Sequence, residues 1–410
     1  MRINKYDVLI IGAGPAGAVA AALLRQQGRK VLIIEREQFP RFSIGESLLP
    51  QSMEYLQQAN MLQAVVEAGF QFKNGASFVH NKKYTEFDFR DKYTKGWGTT
   101  YQVQRDHFDL ILASEAERQG AEIRYQHEVV MIDIEKIKPI VTFKNLINQK
   151  YTYNIEAGFV LDASGFSQVL PRLLDLKTPS DFPVRGAIFT HIEDNILSST
   201  FDRNKICITI HPEYNHIWYW LIPFSNGRCS IGVVAENALL QNYHGTTTER
   251  LQILVNQDLS LKKLLVNAKW DTPAREITAY ASNVKSLWGK NYALLGNAGE
   301  FLDPIFSSGV TIAFKSASLA ANILKQQFAG EKADWEKDYA VPLKLGIDTF
   351  RTFVELWYSG GFQKIIFHDN PQPDIRRMIS SILAGYAWDE NNPYVKKSKQ
   401  RLTALEALCA

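Results

Sequence analysis

The segment Val8-Leu9-Ile10-Ile11-Gly12-Ala13-Gly14-Pro15-Ala16-Gly17 constrains the fold more than any other part of the chain. The apolar run reads as a buried parallel strand, and the Ala-rich stretch from Ala16 to Gln27 reads as a helix. Between them lies Gly-x-Gly-x-x-Gly. Gly12 permits the tight turn, Gly14 lets the backbone approach a pyrophosphate, and Gly17 lets the helix pack close to the strand. The phosphates would rest on the helix N-terminus, where free N–H groups and the helix dipole favour negative charge. A second apolar strand, Lys30 to Ile34, delivers Glu35, whose carboxylate can take a ribose 2′-hydroxyl. An acid at that position argues against a 2′-phosphate, so the expected ligand is FAD or NAD rather than NADP.

Composition narrows the class. The chain has 410 residues, 46% hydrophobic and 22% charged, with a net charge of +3, too small to imply a nucleic-acid partner. Aromatic residues make up 12% and many follow residue 200, which favours a deep apolar site. The cysteines Cys207, Cys229 and Cys409 show no Cys-x-x-Cys spacing, which suggests a reduced, cytoplasmic setting. The first strand begins within a few residues of the N-terminus, so no signal peptide is expected, and no window is long and apolar enough for a transmembrane segment. No His, Cys and carboxylate cluster suggests a metal. His211 and His216 read as hydrogen-bonded structural residues.

The nucleotide fold is expected to be interrupted. It opens the chain, resumes near 105 to 165 and closes near 290 to 328 with the strand Tyr292 to Leu295 and a helix from Val310 to Gln327. The intervening segments alternate as antiparallel strands. The expected architecture is α/β: a Rossmann-type FAD-binding domain from 1–75, 102–175 and 285–330, an antiparallel β substrate domain from 76–101 and 176–284, and a helical C-terminal segment from 331–410. Within it, Val103 to Gln119 reads as an amphipathic helix with Phe108, Leu110, Ile111, Leu112 and Ala116 inward, and Ile123 to Ile134 as one strand. A fold finished this late suits a flavoprotein better than an NAD dehydrogenase, and no second Gly-x-Gly-x-x-Gly is present for NAD(P)H.

These pieces together resemble the class A FAD-dependent monooxygenases, the p-hydroxybenzoate-hydroxylase-like superfamily. Gln102-Val103-Gln104-Arg105-Asp106 matches the helix whose arginine contacts the flavin, and Asp162-Ala163-Ser164-Gly165 matches the second nucleotide-side motif. Gly296-Asn297-Ala298 stands where the superfamily has Gly-Asp-Ala, so Asn297 keeps a polar group and drops the charge. Within the superfamily the chain resembles the flavin-dependent halogenases on three motifs. Gly45-Glu46-Ser47-Leu48-Leu49-Pro50 is similar to the loop that moves over the flavin. Trp218-Tyr219-Trp220-Leu221-Ile222-Pro223 matches W-x-W-x-I-P, with Ile217 where glycine usually precedes it. Phe301-Leu302-Asp303-Pro304-Ile305-Phe306-Ser307-Ser308-Gly309 fits F-x-x-P-x-x-S-x-G. The family lysine corresponds to Lys73, whose flanking Phe70, Phe72 and Ala76 suit a partly desolvated ammonium; the alternative is a surface lysine at a helix-to-strand turn. Phe306 replaces the acid that tryptophan halogenases place before the serine turn, which resembles the branch acting on phenols, pyrroles or carrier-tethered rings.

The resemblance implies FAD, taken up as FADH2 from a separate flavin reductase, with chloride or bromide as co-substrate. The implied flavin ligands are Gly12, Gly14, Ala16, Gly17, Glu35, Arg36, Ser47, Arg105, Asp162, Gly296, Asn297, Asp303, Gly309 and Val310. Ser308 and Gly309 would hold the halide at a helix N-terminus. A flavin C4a-hydroperoxide would oxidise it, and Lys73 would relay the hypohalous acid to an electron-rich aromatic ring, free or carried by an acyl or peptidyl carrier protein. Trp218 and Trp220, facing one side of a strand, would keep the oxidant from the substrate, and Glu46 would couple the flavin loop to catalysis. An acidic carrier could dock on Lys396, Lys397, Lys399 and Arg401. The rivals are an NAD(P)H-dependent aromatic hydroxylase, a saturase resembling geranylgeranyl reductases, and a catalytically inert flavin-binding partner protein.

Overall fold

The computed structural model describes residues 5–148, 151–180, 183–199, 201–278 and 283–409. Two sheets organise it. The first orders its strands Trp288–Gly289, Tyr292–Leu294, Thr152–Asp162, Lys5–Ile11, Val31–Ile34 and Glu122–Arg124, with all neighbours parallel except at the Trp288–Gly289 edge. Its central strands are apolar on both faces because both faces are covered. The helices Pro15–Gln26, Arg105–Arg118 and Gly309–Phe328 cover one. An antiparallel hairpin, His127–Asp133 with Ile140–Asn145, joins the lower half of Thr152–Asp162.

The second sheet orders Arg275–Thr278, Arg185–Glu193, Arg228–Glu236, Trp218–Pro223, Lys205–Ile210, Gly75–His80 and Lys83–Asp88. Neighbours are antiparallel except Lys205–Ile210 and Gly75–His80, which run parallel. Alternation decides what each face does. Ile206, Ile208, Ile210, Trp218, Trp220 and Ile222 point to the main core, while Cys207, Ile217, Tyr219 and Leu221 point to a smaller core under the helices Thr247–Gln257 and Leu259–Leu264. The residue that replaces glycine before the tryptophan motif, Ile217, is therefore buried on the far side from the site. The helix Val341–Tyr358 and the shorter helices after it close the main core, with Gly360 at φ +82° ending the helix Val341–Tyr358.

Three local expectations differ. The amphipathic helix begins at Arg105 and ends at Arg118; Phe108, Leu112 and Ala116 are buried, whereas Leu110 and Ile111 are half-buried at its margins. The single strand expected over Ile123 to Ile134 is two, Glu122–Arg124 and His127–Asp133, broken where Gln126 takes a left-handed φ of 55°. The first half pairs with the parallel sheet and the second with the hairpin, so one continuous strand could not serve both. Lys73 ends a short strand, Gln71–Lys73, paired with Thr100–Gln102, rather than standing in a turn.

Candidate active site

A cavity of about 570 Å³ runs from the glycine turn to the tryptophans of the second sheet. Its first wall is backbone. Gly12 has φ +98°, and a Cβ there would stand 2.6 Å from the Ala163 carbonyl oxygen, so the two strand-to-helix turns can touch only because glycine is present. A Cβ on Gly17 would fall 1.9 Å from the Gly12 oxygen. Gly17 thus sets the approach of the helix and does not itself face the cavity, whereas Gly14, Pro15 and Ala16 do. Glu35 closes this end. Its Oε2 accepts from the Ala13 N–H at 2.7 Å and its Oε1 from the Glu37 N–H at 2.8 Å. Each oxygen retains capacity for a further donor. Arg36 stands beside it at the cavity wall.

Two expected ligands sit behind the wall. Asp162 is fully buried, accepts from the Ser164 and Leu170 N–H groups at 2.9 and 2.6 Å, and has its carboxyl pushed up by burial. It pins the turn, and Ala163, Ser164 and Gly165 meet the cavity instead. Gly296 donates its N–H to Ser316 Oγ at 2.9 Å, and its neighbour Asn297 lines the cavity.

Arg105 reaches the cavity, but its guanidinium is committed. Nε and Nη2 donate to Asp109 at 2.7 and 3.0 Å, and Nη1 donates to the Ile44 carbonyl at 2.5 Å. Buried Asp109 also accepts from Arg41 Nη1 at 2.9 Å, so one carboxylate anchors two cavity-lining arginines. Sequence reasoning missed both partners. The i,i+4 spacing of Arg105 and Asp109 on one helix was an available signal; Arg41 offered none.

The segment from Phe42 to Pro50 is pinned from every side. Arg105 holds Ile44 and Gly45, the Val103 N–H donates to the Glu46 carbonyl at 2.7 Å, and the Leu48 N–H donates to the Tyr101 carbonyl at 3.1 Å. Beneath it, Lys73 Nζ donates to Ser47 Oγ and to the Leu48 carbonyl, both at 2.7 Å. The Glu46 carboxylate takes His191 Nε2 at 2.5 Å. Glu46 and Ser47 line the cavity.

Trp218 and Trp220 both face the cavity, as their alternation requires. Trp220 lies flat across Gly232, where any Cβ would stand 2.2 Å from its ring, and its Nε1 donates to Ser230 Oγ at 3.0 Å. Trp218 Nε1 donates to Tyr358 Oη at 3.0 Å, and that hydroxyl donates to Asp303 Oδ2 at 2.7 Å. The Arg185 guanidinium stacks 3.4 Å from the centre of the Tyr358 ring. Burial and the neighbouring Asp303 carboxylate push the Tyr358 phenol well up, so it stays a donor. Asp303 also caps the turn before Ser307, taking the Ile305 N–H at 3.1 Å. Ser307 adopts φ 55°, and Ser308, Gly309 and Val310 follow at the start of the helix Gly309–Phe328, facing the cavity. The first N–H groups of that helix have no intrahelical acceptor and favour an anion.

Lys73 is not in this cavity. It is 1% exposed and borders a separate chamber of about 20 Å³ with Phe78, Phe89, Ile208, Phe306 and Leu383. Ile206 and Ser307 line both spaces and form the partition between them. Burial pulls the Lys73 ammonium down to about 7, which makes it proton-exchangeable near neutrality. Phe306 plugs the far side of the chamber, its ring 6.0, 6.2 and 5.2 Å from Phe353, Trp357 and Phe362.

His211 is held by Gln257 at 3.0 Å. No group of three or more metal-ligating side chains occurs among the described residues, and no helix there is long and apolar enough to cross a membrane.

The cavity fits FAD on its own chemistry: a side-chain-free turn at a helix N-terminus for phosphates, a carboxylate for a ribose, and an extended space ending at an aromatic wall. A family model described as the FAD binding domain matches residues 5–336. The chain is 30% identical to the 1H-pyrrole-2-carbonyl-(peptidyl-carrier protein) chlorinase of Pseudomonas fluorescens, over 99% of this chain and 95% of that protein. Among solved structures it is similar to a flavoprotein/dehydrogenase from Cytophaga hutchinsonii, with a TM-score of 0.95 and 43% identity over 99% of both chains. It is also similar to the flavin-dependent brominase Bmp2, with a TM-score of 0.84 and 25% identity over 99% of this chain and 100% of that one.

Proposed function

The chain belongs to the FAD binding domain family and to its flavin-dependent halogenases, and from that premise we propose that it uses reduced FAD, dioxygen and chloride or bromide to halogenate an electron-rich, pyrrole- or phenol-type ring. The observation that carries this reading is the buried lysine, held in its own chamber beside the flavin cavity and separated from it by Ile206 and Ser307. A hydroxylase needs its substrate against the flavin; a halogenase needs a partition that passes a small oxidised halogen and stops the ring.

Gly12, Gly14, Ala16 and the helix they open would hold the pyrophosphate, Glu35 a ribose, and Arg41 the phosphate region from above Gly14. Bound reduced flavin supplies, with dioxygen, the oxidising equivalents that turn halide into an electrophile. Ser308, Gly309 and Val310 would hold the halide with unpaired N–H groups. Trp218 and Trp220 exclude water and substrate from that end. Lys73, poised near neutrality, would hydrogen-bond or capture the oxidised halogen and present it to the ring.

The likeness to a carrier-protein-dependent chlorinase supports a substrate tethered to an acyl or peptidyl carrier protein. Lys396, Lys397, Lys399 and Arg401 are all exposed and would offer positive charge to an acidic carrier. A separate reductase would supply the reduced flavin. The 43% identity to a flavoprotein/dehydrogenase favours one second reading, a flavin oxidoreductase that uses no halide. The test is single-turnover oxidation of the FADH2-loaded protein by dioxygen with and without bromide, using an electron-rich phenol or pyrrole thioester as acceptor. Bromide-dependent ring bromination supports the halogenase; oxidation that ignores bromide supports the second reading.

A further inference from the structure

We propose that Glu46 and His191 form a proton-delivery dyad for the flavin cavity, an inference that rests on the halogenase reading. Counting reduced flavin in its neutral form, the balance is FADH2 + O2 + X⁻ + Ar–H + H⁺ → FAD + Ar–X + 2 H2O. The aryl C–H bond breaks, an aryl–halogen bond forms, the O–O bond breaks, and flavin and halide supply the electrons. One proton per turnover must be brought to the buried end of the cavity, beside Trp218 and Trp220.

The geometry points to one entry. The Glu46 side chain is fully buried, and its residue lines the cavity. Its Oε1 lies 2.5 Å from His191 Nε2, while its Oε2 is buried with no hydrogen-bond partner among the described residues. Buried carboxylate oxygens are ordinarily satisfied, so an orphan just behind the wall of a reaction cavity is free to bond a reacting partner once the carboxyl turns. His191, near the end of the strand Arg185–Glu193, is 17% exposed. The pair therefore runs in two side chains from a solvent-touched imidazole to a carboxyl just behind the cavity wall.

In this arrangement the Nε2 proton passes to the Glu46 carboxylate. The carboxyl turns about its terminal torsion, which is broad and two-fold, and offers the O–H to the cavity. The imidazole, left neutral, takes a proton from water. Glu46 is the group that meets the reacting atoms; His191 is a positioning residue acting through it. The other groups around the pair would not short-circuit it. The Phe42 and Phe224 rings pack on His191 at 5.8 and 5.1 Å. Arg228, whose Nη2 lies 3.5 Å from the His191 carbonyl, is paired with Asp271. Arg275 lies over Phe42, and Arg105, which holds Gly45, is paired with Asp109.

The experiment uses full-length Glu46→Gln and His191→Gln, which keep a hydrogen-bonding pair but cannot relay a proton, together with His191→Ala. FAD affinity is measured first by titrating the flavin-free proteins. Reduced enzyme is then mixed with dioxygen and bromide in weak buffer containing a pH-indicator dye, so proton uptake and brominated product are followed together. The dyad predicts FAD affinity within about twofold of wild type. It also predicts proton uptake and bromination slowed tenfold or more in both Gln variants, and recovery of His191→Ala on adding imidazole. Unchanged proton uptake in His191→Gln would overturn the dyad and leave the halogenase reading standing, as would losses that track FAD affinity or resist imidazole. A wild-type protein that makes no bromide-dependent product would overturn that reading, and the dyad with it.

Discussion

The flavin cavity and the Lys73 chamber share a wall but are built on opposite principles. The first is about 570 Å³, shaped by backbone at the glycine turn and by arginines locked onto Asp109. Its form depends on few side-chain choices, and it stands open before anything binds. The second is about 20 Å³ and shaped by rings. That is room for roughly one water, so it takes no aromatic ring until Phe306 or Leu383 moves. The cofactor is met by a preformed site, whereas the substrate must open its own, at the joint between the serine turn and the C-terminal helices. Lys73 sits where the two meet, holding the flavin-covering segment through Ser47 and Leu48.

The largest effect should break the first region alone. Gly17→Ala places a methyl 1.9 Å from the Gly12 oxygen, and such overpacking against backbone costs about 3 kcal/mol or more. Thermal unfolding should show a sharply lowered midpoint, and the purified protein should carry little FAD. A variant that keeps wild-type stability and flavin would show that the turn is looser than the geometry requires.

The next prediction concerns the second region. Lys73 is held near 7 in the folded chain against an ordinary value of 10.5, so between those values the unfolded chain binds more protons and stability rises with pH. From pH 7 to 10 the Lys73 contribution should rise by about 3–4 kcal/mol. Other groups titrate in that window, so the measurement is the difference between wild type and Lys73→Met in urea unfolding at each pH. The wild-type curve should climb more steeply by that amount; parallel curves would mean the ammonium is solvated.

The smallest effect lies on the wall near the serine turn. Tyr358→Phe removes the hydroxyl between Trp218 and Asp303. A lost buried hydrogen bond of this kind costs about 1–2 kcal/mol. FAD affinity should barely change, since the link braces the tryptophan end of the cavity, away from the glycine turn.

What was legible in the sequence follows the same division. The glycine turn, Glu35, the paired tryptophans and the serine turn are local patterns whose geometry is set within a few residues, and each faces the cavity apart from Gly17. Asp162 belongs to a recognisable turn, but its carboxylate serves the backbone behind it. The links that brace the two regions join residues far apart in the chain. Lys73 meets Ser47 across 26 positions, Tyr358 meets Asp303 across 55, and His191 meets Glu46 across 145. No period or spacing encodes them, because tertiary packing of the two sheets creates them. The size of the lysine chamber is likewise a product of Phe306, Phe78 and Leu383 arriving from three separate segments.

The central claim is that halide is oxidised in one space and the halogen is delivered from the other. Lys73→Ala tests it most directly, in single-turnover bromide oxidation with two acceptors measured together: monochlorodimedone for oxidant that escapes into solution, and an electron-rich ring for halogen that is delivered. Division of labour predicts that the variant still oxidises bromide and brominates monochlorodimedone, while ring bromination falls about a hundredfold or more. Equal loss of both products, or ring bromination that survives without the lysine, would contradict the account.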